Sequence, residues 1–215
     1  MKIIPTVLTL FHLINRGFRY VMETCDIHKI DESHALKHSM EVYGFAKKIY
    51  ESELVKNSYL EEQQEIIYMT AIGHDMCDKK YMNETEGILK YQKYISEYIK
   101  PTDVEIIGKI IATMSYSKVK INGYPDLKEY QLAYHIVREA DLLSAYDIDR
   151  CVIYGMYVEK LEYDEALKRA IELFESRVLK YRSDNLFITK YSKKESLKKH
   201  NNAKRNLDFL KKTIK

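Results

Sequence analysis

An all-α fold is predicted for this chain by three observations: apolar residues recur at helical spacing through most of its 215 residues, no stretch sustains the every-second-residue alternation of a strand, and no internal repeat divides it. The length is enough for one substantial core without disulfide or metal staples. A single helical domain over residues 1–188, followed by a basic extension over 189–215 that is partly helical, is the expected organisation.

The opening stretch, MKIIPTVLTLFHLINRGFRY, carries a short apolar run interrupted by Pro5 and is read as a buried first segment rather than a targeting signal, since it lacks a small-residue cleavage pattern. Ser33 to Glu53 reads as a helix, with Val42, Phe45, Ala46 and Ile49 on one stripe that His34 and His38 extend towards the N-terminus. A second helix is expected from Glu61 to His74, with Ile66, Ile67, Met69 and Thr70 inward and Gly73 leaving room for a neighbouring element. The segment from Asn83 reads as helical and stops at Pro101. Thr102 with Glu105 looks like a capping box for the next helix, whose buried face is Ile106, Ile107, Ile110, Ile111 and Met114. Ser115 to Asp126, containing Gly123 and Pro125, is expected to be a loop. Helices then follow over Leu127–Ala145, Asp149–Val158 and Asp164–Tyr181, and the tail offers Leu197, Leu207 and Leu210 for a weak apolar contact.

Hydrophobic residues at 46% and charged residues at 31% fit a soluble globular protein, although 19 tyrosines with no tryptophan are unusual. Cys25, Cys77 and Cys151 have no CxxC spacing, so neither a disulfide scaffold nor a thiolate zinc site is indicated, and a reducing, cytoplasmic setting is expected. No run approaches the length of a membrane span. The net charge of +3 is unevenly spread: nine lysines and one arginine against Glu195 and Asp208 give 189–215 a surplus of eight and leave the rest near −5. That tail would suit phosphate backbones or an acidic membrane surface, or simply form a lysine-rich solvated helix face. Its only aromatics are Tyr191 and Phe209, too few for a base-stacking stripe. Isolated glycines exclude a phosphate-binding loop, and no serine sits in a nucleophile elbow.

The polar residues inside the apolar helices carry the chemistry. His34 and His38, four apart, would face one site if they shared a helix. His74 and Asp75 are sequence neighbours and reach a common point only if the helix is ending, which Gly73 favours. Imidazole with carboxylate suits a borderline or hard divalent cation. Asp78 lies three residues beyond Asp75, placed to move protons beside such an ion without binding it. Asp141 stands among Ile136, Val137, Ala140, Leu142 and Leu143, where an unpaired carboxylate is costly; it is either a metal ligand or a structural partner of Arg138 or a helix end.

The ordered set His38, His74–Asp75, Asp141 resembles the H…HD…D signature of the HD-domain metal-dependent phosphohydrolases. DESHALKHSMEVYGFAKKI, TAIGHDMCDKKY and IIATMSYSK resemble the corresponding segments of the small bacterial-type members, and the likeness covers roughly residues 26–154. Met76 and Cys77 depart from it, standing where a small apolar residue and glycine are more usual. The resemblance implies an HD-type helical bundle in which His38, His74, Asp75 and Asp141 bind one divalent cation, Mn2+ or Mg2+ first, with Fe2+, Co2+ or Zn2+ also compatible. With His135 the sole histidine between Asp75 and Asp141, one metal is expected rather than two.

It also implies hydrolysis of a small phosphate ester or anhydride, with nucleotides the leading substrate class, by metal-activated water. Asp75 would orient the water, Asp78 would transfer the proton, and His34 would line the phosphate side of the pocket. Lys37, Lys79, Lys80 and Lys118 are each candidates to hold phosphate oxygens, Lys79 and Lys118 before the others, and Tyr116 is available to stack on a base. The competing expectations are a nucleotide- or metal-binding module without turnover, and nucleic-acid binding through the basic tail.

Overall fold

A computed structural model describes residues 6–213 and is all-α: ten α-helices, joined in places by short 3-10 turns, with no strand among the described residues. In chain order these are α1 (Thr6–His28), α2 (Leu36–Leu54), α3 (Gln64–Gly73), α4 (Glu84–Ile95), α5 (Pro101–Thr113), α6 (Tyr116–Asn122), α7 (Gln131–Ser144), α8 (Ile148–Tyr157), α9 (Tyr163–Ser176) and α10 (Lys190–Thr213). Residues 1–5, including Pro5, lie outside the described residues, so the opening segment is seen only from Thr6, where α1 buries Leu13, Ile14 and Val21. No helix among the described residues is long and apolar enough to cross a membrane.

α3 is the hub. Every residue from Ile66 to Gly73 is buried, as expected for a helix apolar on all sides, and α1, α2, α5 and α7 pack around it. Gly73 marks the tightest approach: a Cβ there would lie 2.2 Å from Cζ of Tyr91, a buried α4 side chain whose hydroxyl donates to the Met69 carbonyl at 2.6 Å. Gly73→Ala should therefore cost about 1–3 kcal/mol through overpacking, read as a lower urea midpoint with an unchanged slope.

Several boundaries differ from the sequence expectation, each for a local reason. α2 begins at Leu36, because Asp31 Oδ1 accepts from the Ser33 amide at 2.9 Å and holds residues 31–34 in a turn; His34 therefore precedes the helix that carries His38. α5 starts on Pro101, whose fixed φ suits the first helical position, and no side-chain cap forms; Thr102 bonds Asp103, and Glu105 pairs with Lys109 instead of closing a capping box. The expected loop over 115–126 contains the seven-residue helix α6, ended by Gly123 at φ 73°. In the tail it is Ala203 and Leu207, with the buried hydroxyls of Ser192 and Ser196, that face the domain, while Leu197 is exposed.

From Lys190 to Thr213 the basic extension is thus one helix, seated on α2 and α7. Its N-terminus is held by Glu139, fully buried on α7, which accepts from the amides of Ile188 and Thr189 at 2.7 and 3.1 Å and from the Thr189 hydroxyl at 2.7 Å. Arg138 lies alongside, donating to the Leu186 carbonyl at 2.5 Å and to Glu139 at 3.4 Å.

Candidate metal centre and its cavity

Three elements bring four side chains together. α2 supplies His38, the 3-10 turn His74–Cys77 at the end of α3 supplies His74 and Asp75, and α7 supplies Asp141. Consecutive side chains on such a turn point about 120° apart, yet His74 Nε2 and the Asp75 carboxylate both reach the cluster, 3.3 Å from each other. One ligand atom each from His38, His74 and Asp141 falls within 4.8 Å of the others. Asp75 bridges the two rings, with Oδ2 3.0 Å from His38 Nε2 and Oδ1 3.3 Å from His74 Nε2. Asp141 Oδ1 stands 3.6 and 3.7 Å from the same two nitrogens.

The ring nitrogens behind the cluster are occupied. His74 Nδ1 faces the Ala71 carbonyl at 2.9 Å; a carbonyl only accepts, so Nδ1 carries the proton. His38 Nδ1 faces Ser144 Oγ at 3.5 Å, and that hydroxyl donates to the Asp141 carbonyl at 2.8 Å, leaving its oxygen to accept. Both Nε2 lone pairs therefore converge, 3.2 Å apart and beside two carboxylates. Such an arrangement could hold a shared cation, and the second hydrogen bond on each ring is the orientation seen behind metal-bound imidazoles. The donor set suits a divalent ion.

Without a metal, a proton takes part of that role. Burial opposes charge on His74, but Asp75, Asp141 and the Ala71 carbonyl outweigh it and raise its pKa to about 9. His38, where burial prevails over the attraction of Asp75, is shifted down. Burial would raise Asp75 and Asp141, yet the histidines hold Asp75 well below its usual range and bring Asp141 to about 2. A raised His74 stabilises the fold fully below pH 6.5 and loses that contribution as pH rises through about 9. The metal-free protein should accordingly show a Tm that falls between pH 6.5 and 9, whereas saturating Mn2+ should make it rise there, because metal replaces the proton. Differential scanning calorimetry with and without chelator reads both slopes.

His74, Asp75 and Asp141 line a cavity of about 370 Å³, and His38 lies behind them, almost fully buried. Asp78, Lys79 and Lys118 also line it, whereas Lys37 is exposed outside its lining: one residue from His38 is a 100° step around α2, so the two cannot face one space. Lys118 is already engaged, donating to Glu84 at 2.5 Å and to the Ala112 carbonyl at 2.7 Å. Asp78 sits in extended backbone after the turn, its Oδ1 accepting from the Lys80 amide at 2.8 Å. His34 lines the cavity too, made strongly basic-averse by burial, with its pKa pushed down to about 3. His135 lies apart, bonded to Gln131 on its own helix.

Comparison with known proteins adds no kinship: no family model, curated protein or solved structure matches the chain. The site therefore stands on its own geometry.

That geometry includes a wall the sequence reading missed. Arg150 on α8, Arg169 on α9 and Arg177 just beyond α9 all line the cavity, with Tyr154, Tyr116 and Tyr181 between them. Arg150 donates to the Ser33 carbonyl at 2.6 Å and to Ser144 Oγ at 3.2 Å, which brings its second terminal nitrogen to 3.9 Å from Asp75. Arg177 lies over the Tyr116 ring at 4.4 Å and donates Nε to the Tyr181 hydroxyl at 3.1 Å. Arg169 is paired with Glu159. Tyr116 thus has one side covered by a guanidinium. In sequence the arginines look like the charged faces of amphipathic helices, and only the turn between α8 and α9 reveals that they converge.

Proposed function

We propose that the chain is a divalent-metal-dependent phosphohydrolase acting on a small phosphate ester or anhydride, with nucleotides the leading substrate class and Mn2+ or Mg2+ the leading metals. The observation that carries this reading is the meeting of two imidazole Nε2 atoms and two carboxylates at the edge of a cavity that also presents Lys79, Lys80, Lys118, Arg150, Arg169 and Arg177. The sequence resemblance to the HD-domain phosphohydrolases supports the same chemistry.

His38, His74, Asp75 and Asp141 would hold a divalent cation, which would supply charge neutralisation at a phosphoryl oxygen and acidify water. The protein's own groups do the rest. Arg150, fixed by two hydrogen bonds, is placed to bind a non-reacting phosphoryl oxygen next to Asp75. Asp75 orients the water. As the water oxygen bonds to phosphorus and the ester or anhydride P–O bond breaks, one water proton passes to Asp78, which returns it to the leaving oxygen.

Metal content of protein purified without chelator, followed by a nucleotide panel with Asp75→Ala alongside, tests the proposal. About one metal per chain and metal-dependent release of phosphate or pyrophosphate, lost in Asp75→Ala, is expected. No metal-dependent release from any substrate would instead favour a binding module without turnover.

A further inference from the structure

The loop after the metal turn holds a second polar cluster whose task the metal does not explain. Asp31, Ser33 and His34 come from the turn before α2, and Asp78, Lys80 and Tyr81 from the loop before α4. Tyr81 donates its hydroxyl to Asp31 Oδ2 at 2.5 Å, and its oxygen stands 3.1 Å from His34 Nδ1. The opposite nitrogen of the same ring, Nε2, stands 2.9 Å from Lys80 Nζ.

The donors and acceptors in this chain can be arranged in one way. An ammonium has hydrogens and no lone pair, so His34 Nε2 must accept from Lys80. A doubly protonated ring would point N–H at N–H, which repels; His34 is therefore neutral with its proton on Nδ1. That proton is shared between Ser33 Oγ, 2.5 Å away, and Tyr81 Oη, whose own hydrogen is committed to Asp31. A carboxylate, a phenol, an imidazole and an ammonium thus stand in series, each fixing the polarity of the next.

At the end of the series Lys80 is held from three sides. His34 takes one N–H, Asp78 Oδ2 attracts a second at 3.5 Å, and the Tyr154 ring lies 5.2 Å away in cation–π range. The ammonium has three hydrogens. The third is unspent, on a side chain that lines the metal cavity.

Resting on the hydrolase reading for its substrate, we infer that Lys80, alongside Arg150, donates to a phosphoryl oxygen beside the metal, and that Asp31, Tyr81 and His34 are positioning residues that aim it. This gives His34 a different task from touching phosphate itself. It also explains why a flexible lysine serves here: three partners remove much of the rotamer freedom that a free lysine would lose on binding.

The full-length chain provides two readouts that do not need turnover. Nitrogen-15 NMR of histidine-labelled protein should show His34 protonated on Nδ1, and Lys80→Met should let the Nε2–H form appear. A wild-type His34 carrying its proton on Nε2 overturns the inference. Calorimetric titration of inorganic pyrophosphate into the Mg2+-loaded protein should weaken about 10- to 100-fold in Lys80→Met, the worth of one charge-assisted hydrogen bond, with metal content unchanged. Tyr81→Phe should weaken it less, and His34→Gln, whose side-chain oxygen can still accept from the ammonium, should retain more than His34→Ala. Equal pyrophosphate affinity in wild type and Lys80→Met, or no binding by the wild type, overturns it. The two readings fail separately: Lys80-dependent pyrophosphate binding without hydrolysis of any substrate sinks the hydrolase and leaves the brace, whereas hydrolysis with unchanged kcat and KM in Lys80→Met does the opposite.

Discussion

Asp141→Asn should lower divalent-metal affinity by more than about 100-fold while leaving the helical fold in place. Loss of a hydrogen-bond partner behind a metal ligand typically costs about 10- to 100-fold, and here a charged candidate ligand itself is removed. The substitution keeps the volume of the side chain and its place on α7, so collapse of the site is not the cause. What changes is that Oδ1, 3.6 and 3.7 Å from the two imidazole nitrogens, gives way to a neutral amide. Isothermal titration with Mn2+ reads the affinity, and circular dichroism confirms the fold. Any metal-dependent hydrolysis should fall with it at subsaturating metal. Unchanged Mn2+ affinity would exclude Asp141 as a ligand.

Glu139→Ala should be the most damaging single change away from the metal, costing about 3–5 kcal/mol. Glu139 is fully buried and receives the two amides and the hydroxyl that open α10, with Arg138 beside it, 2% exposed. Truncation leaves the two amides without their acceptor in the interior and the guanidinium with the Leu186 carbonyl but no counter-charge. Glu139→Gln, which keeps an oxygen for some of the donors, should cost less. Urea unfolding measures both, and protease sensitivity at 186–190 should rise, because that segment is what Glu139 fastens. A cost under about 1 kcal/mol for Glu139→Ala would mean α10 is held by its apolar face alone.

The four residues of the candidate metal centre were legible because each is a polar group that an apolar helix does not need, and Gly73 announced the change of direction at His74. His34 misled because four-residue spacing implies a shared helix face, whereas the Asp31 turn delays the helix by three residues and sends His34 to Lys80. Lys37 failed on helical phase. Glu139 was not singled out, because nothing local says that its partners lie about fifty residues on. The arginine wall was equally invisible, since convergence of Arg150, Arg169 and Arg177 depends on how one hairpin folds back. Long-range partners decided the cases of Glu139 and the arginine wall, and helical periodicity carries no information about them.

The elements that hold the candidate metal ligands and the helices that carry the arginine wall are different pieces. α2, the end of α3 and α7 are built into the core, whereas α8 packs chiefly on α9 as a hairpin whose inner surface supplies Arg150, Tyr154 and Arg169. Substitutions that reshape the hairpin's cavity wall should therefore leave the spacing of the four candidate ligands in place, because the two sets of side chains sit on separately packed elements.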